Sequence, residues 1–231
     1  MKIGIIGAME LEVAALKQEL THPECREVAG MKFYDGTLAD TPVVVVQCGV
    51  GKVNAAMCVQ ILHDVFHVTH IINTGVAGGL NDNLEIGDIL ISKTAIQHDM
   101  NVVPLGYKPG QVPGLDTLAF PADEKMRKDA LESCSKVNPD IHVMEGIVVS
   151  GDQFIAEASV KKHLINDFQG DCAEMEGAAI AQAAYLNKLP FVIIRAISDK
   201  ADHCAQMDYP TFEKQAAHHC AKLVAEFVKT Y

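Results

Sequence analysis

The chain has 231 residues, 49% of them hydrophobic, with 30 acidic against 19 basic side chains and a net charge of −11. That length and apolar content support one sizeable core, so a single domain over residues 1–231 is expected. The acidic balance excludes a nucleic-acid backbone or an anionic membrane surface as partner, because either would be repelled.

Residues 2–7 form a short apolar run of β type, followed by a turn at Ala8 and Met9 and a helical pattern in which Leu11, Ala14, Ala15 and Leu20 recur near a 3.6-residue period. A second unit follows, with Val43-Val44-Val45-Val46 as a buried strand, Gly49-Val50-Gly51 as the turn and residues 52–66 as a helix. A third begins at Ile71-Ile72 and is expected to break at Thr74-Gly75-Val76-Ala77-Gly78-Gly79. Residues 88–92, 146–150 and 191–194 read as further strands, and 123–134, 159–167 and 209–228 as helices. Strands alternating with helices predict an α/β fold in three layers, with a largely parallel twisted central sheet flanked by helices. Between residues 97 and 120 the pattern stops, and Pro104, Gly106, Pro109, Gly110, Pro113 and Gly114 mark an irregular segment of the kind that serves function or an interface.

The seven cysteines are widely spaced and contain no CxxC pair, so neither a disulfide framework nor a zinc site is indicated. Cys48, Cys172 and Cys204 read as packing thiols, and His98, His203, His218 and His219 as surface or loop residues without metal-ligand spacing. Glu10 and Glu12 interrupt the N-terminal apolar run before a signal-peptide core can form, and no run reaches membrane-spanning length. A soluble cytoplasmic protein is expected.

Ligands of open α/β sheets collect beyond the carboxyl ends of the strands, where the glycine turns and several acids of this chain fall. Ala173-Glu174-Met175-Glu176-Gly177 sets two carboxylates around one thioether before an alanine-rich helical run. Read locally, it is either a sugar and water site or a pair of solvated acids favoured by a helix dipole. Glu12, in the first helical turn, is either a base for water or an ordinary first-turn acid. Arg195-Ala196-Ile197-Ser198-Asp199 delivers an arginine and an acid to the same rim, as a structural pair or as an acid whose pKa burial must raise. Gly49-Val50-Gly51-Lys52 lacks the spacing of a phosphate loop and reads as a tight strand-to-helix turn.

Taken in order, Gly4-Ile5-Ile6-Gly7-Ala8-Met9-Glu10-Leu11-Glu12, Gly49-Val50-Gly51-Lys52-Val53-Asn54-Ala55, Asn73-Thr74-Gly75-Val76-Ala77-Gly78-Gly79, Ser150-Gly151-Asp152-Gln153-Phe154-Ile155, Glu174-Met175-Glu176 and Arg195-Ala196-Ile197-Ser198-Asp199 closely resemble the bacterial 5'-methylthioadenosine/S-adenosylhomocysteine nucleosidases. The resemblance covers essentially the whole chain and implies the nucleoside phosphorylase-like fold. It also implies hydrolysis of the bond between adenine and ribose, in methionine salvage and S-adenosylmethionine recycling.

By that similarity Glu12 activates water, Glu174 and Arg195 position it, and Asp199 protonates adenine N7. Glu176 accepts hydrogen bonds from the ribose hydroxyls beside Met175. The main chain of Phe154 and Ile155 reads the adenine edge, with the Phe154 ring on the base and Gly78 at the wall. The alkylthio end lies among Met9, Val50 and Tyr209, with Val102, Leu105, Tyr107 and Pro113 reaching over from a second subunit of a homodimer. The family uses no metal or organic cofactor.

Two positions depart from the family pattern. Val76 stands where relatives often have a serine bonded to the catalytic aspartate, which leaves Ser198 or backbone groups to orient Asp199. Leu105 replaces an aromatic residue of the thio pocket, with consequences for the balance of substrates. Three rival readings stay open: a hydrolase of 5'-deoxyadenosine or aminodeoxyfutalosine, a nucleoside phosphorylase, and a catalytically silent nucleoside-binding protein. Charge disfavours the phosphorylase, since phosphate beside Glu12 and Glu174 would meet repulsion that Arg195 alone has to offset.

Overall fold

The computed structural model describes residues 1–202 and 204–230, so His203 lies outside the described residues. Strand β1 (Ile3–Gly7) is buried at every position and leads into α1 (Glu10–Glu19). The chain then runs through β2 (Thr21–Val28), β3 (Met31–Leu38) and β4 (Thr41–Gln47), an antiparallel meander. Helix α2 (Lys52–Asp64), β5 (His70–Gly79) and β6 (Ile89–Gln97) follow. After a single 3-10 turn at Val103–Leu105 come β7 (Phe120–Pro121), α3 (Glu124–Val137), β8 (Val143–Ser150) and α4 (Ala158–Phe168). The chain finishes with β9 (Cys172–Glu174), α5 (Gly177–Leu186), β10 (Phe191–Asp199) and α6 (Ala205–Val228).

The α/β class read from the pattern is the one the chain adopts, on a mixed sheet. β5 pairs with β10, β10 with β6, β6 with β8, β8 with β9, and β9 returns to β5, which closes a ring of strands. From β5 the sheet extends through β1 and β4, in parallel, to β3 and β2. The β2–β3 pair escaped sequence reading for a physical reason. β2 is an outer strand, Thr-His-Pro-Glu-Cys-Arg-Glu-Val, exposed along nearly all its length, so no apolar alternation marks it.

Val43 to Val46 form an unbroken apolar run because β4 is covered on both faces. Val44 and Val46 pack with α2 and α5 residues, whereas Val43 and Val45 face the layer that holds Val224 and Phe227 of α6. Helix α1 buries Glu12, Val13 and Leu16, while Leu11, Ala14 and Ala15 are only partly covered. The shift from the expected face follows from Glu12, whose carboxylate is drawn inward by backbone donors.

Residues 74–79 do not break into the expected turn and instead continue β5 as extended strand, buried except at Gly78. Their glycines serve close approach. An ideal Cβ at Gly75 would stand 2.5 Å from Glu12 Oε1, and one at Gly78 2.9 Å from Asp199 Oδ1. The strand therefore passes bare backbone between two carboxylates, which no larger residue permits. Among the described residues, no helix is long and apolar enough to cross a membrane.

Candidate active site

The ends of β1, β5, β9 and β10 and the starts of α1 and α5 converge on one cleft of about 510 Å³, counted to its open mouth. That is an ordinary size for a small-molecule site. Among the described residues its lining includes four carboxylates, those of Glu12, Glu174, Glu176 and Asp199, together with Met9, Val50, Phe154, Met175 and Tyr209, and no lysine or arginine.

Glu12 is 4% exposed and is held from both sides by main chain. Oε2 accepts the N–H groups of Ala8 at 2.7 Å and Met9 at 2.9 Å, and Oε1 accepts that of Val76 at 3.1 Å. Burial pushes its pKa above the ordinary carboxylate value, against the pull of Arg195 and these backbone donors. A buried acid with raised basicity that lines a cleft has the chemistry of a proton acceptor.

Glu174 lies beside it in a denser network. Its Oε1 accepts Ser150 Oγ, both oxygens accept the Gly177 N–H at the start of α5, and Oε2 accepts Arg195 Nη2. Burial opposes its charge, but Arg195, Ser150 and Gly177 together hold its pKa below the usual range. Arg195 is itself 2% exposed, and its Nη2 also donates to Asn73 Oδ1 at 2.6 Å. The two therefore form a buried, hydrogen-bonded ion pair with Glu174 in the cleft wall and Arg195 behind it, and removing either partner would strand a charge.

Glu176 precedes α5 and accepts the Gly51 N–H at 2.8 Å. Burial and the neighbouring Glu174 push its pKa up to about 7. Because the folded value exceeds the ordinary 4.5, the folded state favours the protonated form. The stability this contributes is complete below about pH 4.5 and is lost as pH rises through about 7. Glu176→Gln is therefore expected to flatten the fall in Tm between pH 5 and 8 and to raise stability at pH 8 by on the order of 1–3 kcal/mol. Parallel Tm profiles for the two proteins would contradict it.

Asp199 ends β10 at 2% exposure. Its Oδ1 accepts the Ala201 N–H at 2.8 Å and Oδ2 accepts Ser198 Oγ at 2.9 Å. Burial raises its pKa, partly offset by these two donors. Val76 offers no hydroxyl, and Ser198 and the Ala201 main chain are the groups that hold the carboxyl.

The apolar wall is made by Met9, Val50 and Tyr209, with the Tyr209 hydroxyl 3.2 Å from Met9 Sδ and the Phe154 ring edge-on to Tyr209 at 5.8 Å. Gly78 also lines the cleft, whereas the Ile155 side chain is turned into a neighbouring core cluster. Val102, Leu105, Tyr107 and Pro113 do not line the cleft of their own chain, and Leu105 is 74% exposed. Cys48 and Cys172 are buried, and burial pushes the Cys48 thiol up to about 12, which leaves it protonated. His98, expected at the surface or in a loop, lies in the turn after β6 and is not exposed. It is buried against Gly151, where a Cβ would stand 2.5 Å from its ring. Sequence reasoning did not single out Asn73, Ser150 or Ala173 individually. Two of them carry polar groups inside recognised motifs, and only the three-dimensional network shows that they serve Arg195 and Glu174.

Comparison with known proteins agrees with this geometry. The family model described as "Phosphorylase superfamily" matches residues 2–229. A 5'-methylthioadenosine/S-adenosylhomocysteine nucleosidase of Exiguobacterium is 41% identical over 99% of this chain and 98% of its own length. The corresponding nucleosidase of Neisseria meningitidis, solved in complex with methylthio-immucillin-A, is 36% identical and superposes with a TM-score of 0.96 over 100% of this chain and 99% of its own. The futalosine hydrolase of Helicobacter pylori is 29% identical, with a TM-score of 0.95 over 100% of this chain and 98% of its own.

Proposed function

The chain belongs to the phosphorylase superfamily and, within it, to the 5'-methylthioadenosine/S-adenosylhomocysteine nucleosidases, and from that premise we propose that it hydrolyses the N-glycosidic bond of both nucleosides, releasing adenine and the thioribose. The observation that carries this reading is the pairing, in one cleft, of two buried acids whose pKa values are both raised, Glu12 and Asp199.

In the reaction, Glu12 takes a proton from water as the water oxygen bonds to C1' of the ribose. The bond from C1' to adenine N9 breaks, its electron pair stays with the purine, and Asp199 delivers a proton to N7. The sugar passes through an oxocarbenium-like state, which the surrounding carboxylates stabilise. Glu176 accepts hydrogen bonds from the ribose hydroxyls beside Met175. Glu174 and Arg195 orient the water, and Ser198 holds Asp199. The main chain of Phe154 and Ile155 meets the adenine edge and the Phe154 ring covers the base. The 5'-alkylthio group occupies the wall of Met9, Val50 and Tyr209.

The same reading takes the protein as a cytoplasmic homodimer acting in methionine salvage. Supporting a dimer, Val53 and Leu186 are 71% and 57% exposed and line one groove between α2 and α5, and Val103 and Leu105 stand out from the irregular segment. Apolar exposure of this kind marks an association surface, and on this reading Val102, Leu105, Tyr107 and Pro113 belong to the cleft of the partner.

Incubation with methylthioadenosine and, separately, with S-adenosylhomocysteine is expected to release adenine from both. No adenine from either nucleoside would overturn the assignment, and release from aminodeoxyfutalosine alone would replace it.

A further inference from the structure

Outside the cleft, the start of α2, the end of β6 and the loop after β8 are joined by hydrogen bonds that close on themselves. Asp152 Oδ1 accepts the backbone N–H of Lys52 at 2.9 Å and so caps α2 from the far side of the sequence. The backbone N–H of Asp152 in turn donates to Asp99 Oδ2 at 3.1 Å. Asp99 Oδ1 then accepts Lys52 Nζ at 2.5 Å, and the same ammonium donates to Gln97 Oε1 at 3.0 Å. The path runs from Lys52 to Asp152 to Asp99 and back to Lys52.

The ion pair in this circuit is mostly covered, with side-chain exposures of 20% for Lys52 and 17% for Asp99. It is therefore screened less than a surface pair. None of the three side chains lines the cleft. Lys52 and Asp152 are nevertheless linked to groups that do, and Asp99 joins the two. Gly51, next to Lys52, has φ +99° and donates its N–H to Glu176 at 2.8 Å. A Cβ on Gly51 would stand 3.1 Å from Asp152 Oδ1, so the turn and the loop are in direct contact there. Phe154, two residues beyond Asp152, lies in the cleft wall, and the loop that carries it sits on His98 through Gly151.

We propose that Lys52, Asp99 and Asp152 are positioning residues that set the spacing between the Glu176 carboxylate on one side of the cleft and the Phe154 loop on the other. The inference rests on reading this cleft as a nucleoside site, in which Glu176 holds the ribose and the Phe154 loop holds the base. A nucleoside spans both sides and is sensitive to their separation. Adenine alone occupies one side and is not. Small misplacements of groups that orient a reacting substrate are costly, with effects reaching about 10²-fold for a shift near 1 Å.

The test compares the full-length wild type with Asp99→Asn and Lys52→Met, both of which keep side-chain volume. For each protein, kcat and KM for methylthioadenosine, the inhibition constant of adenine and Tm are measured. Each variant is expected to raise KM for the nucleoside about tenfold, to lower kcat by less, and to leave adenine inhibition within about twofold. Lys52→Arg is expected to recover most of the loss, and the double variant to be no worse than either single one, because all act through one circuit. Equal losses for nucleoside and adenine, or a KM within twofold of wild type in both variants, would overturn the circuit while leaving the assigned reaction intact. A wild-type protein that releases no adenine would instead remove the reading on which the circuit rests.

Discussion

Glu12→Gln is expected to lower kcat for methylthioadenosine by about 10² to 10⁴-fold while the affinity for a nucleoside analogue stays within about threefold. The amide matches the carboxylate in shape, so packing changes little, and with its oxygen at the Oε2 position it still accepts the Ala8 and Met9 N–H groups while the Val76 N–H loses its acceptor. Arg195 keeps its direct partner Glu174, so no buried guanidinium is stranded. What disappears is the ability to receive a proton, which burial strengthens in the wild type by raising the Glu12 pKa. Steady-state kinetics beside a calorimetric affinity separate the two effects. A kcat within about threefold of wild type would refute Glu12 as the base.

Asp199→Asn is expected to cost a comparable factor with adenine as leaving group and much less with a purine analogue whose leaving group needs no protonation. Asparagine can still accept the Ala201 N–H through its side-chain oxygen, so the end of β10 keeps its conformation. It has no acidic proton to give to N7. The contrast between two leaving groups isolates that proton from any binding loss, since both substrates share the sugar and the apolar wall. Equal losses on both would count against Asp199 as the acid. A further expectation concerns Ser198. With valine at position 76, Ser198→Ala removes the side-chain donor at Asp199 Oδ2, leaves the Ala201 N–H as its donor among the described residues, and should shift the pH profile of turnover.

Where a strand or helix was buried with a clear period, local sequence was enough to locate it. β4 reads as four consecutive valines because both of its faces are covered, and α3 reads from its period, while the capping of its first turn by Asp123, which accepts the Met126 N–H, appears only in the structure. β2 left no trace because a solvated edge strand has no buried face to write into the pattern. Residues 74–79 misled for the opposite reason. Glycine usually signals a turn, but here it makes room for Glu12 and Asp199, and that requirement comes from other parts of the chain.

The site followed the same logic. Glu12, Glu174, Glu176 and Asp199 stood out as acids beside apolar runs, where an uncompensated charge is expensive, and all four line the cleft. Asn73 and Ser150 did not stand out, because a neutral side chain in a strand is unremarkable until its partner across the fold is known. The circuit of Lys52, Asp99 and Asp152 was illegible for the same reason, since its members lie 47 and 100 residues from Lys52 along the chain.

All of this depends on water being the group that attacks the sugar, in a cleft lined, among the described residues, by four carboxylates and no lysine or arginine. The most direct measurement is the identity of the sugar product when methylthioadenosine is turned over in saturating phosphate. Free methylthioribose, formed at a rate independent of phosphate, is the predicted result. Methylthioribose 1-phosphate would contradict it.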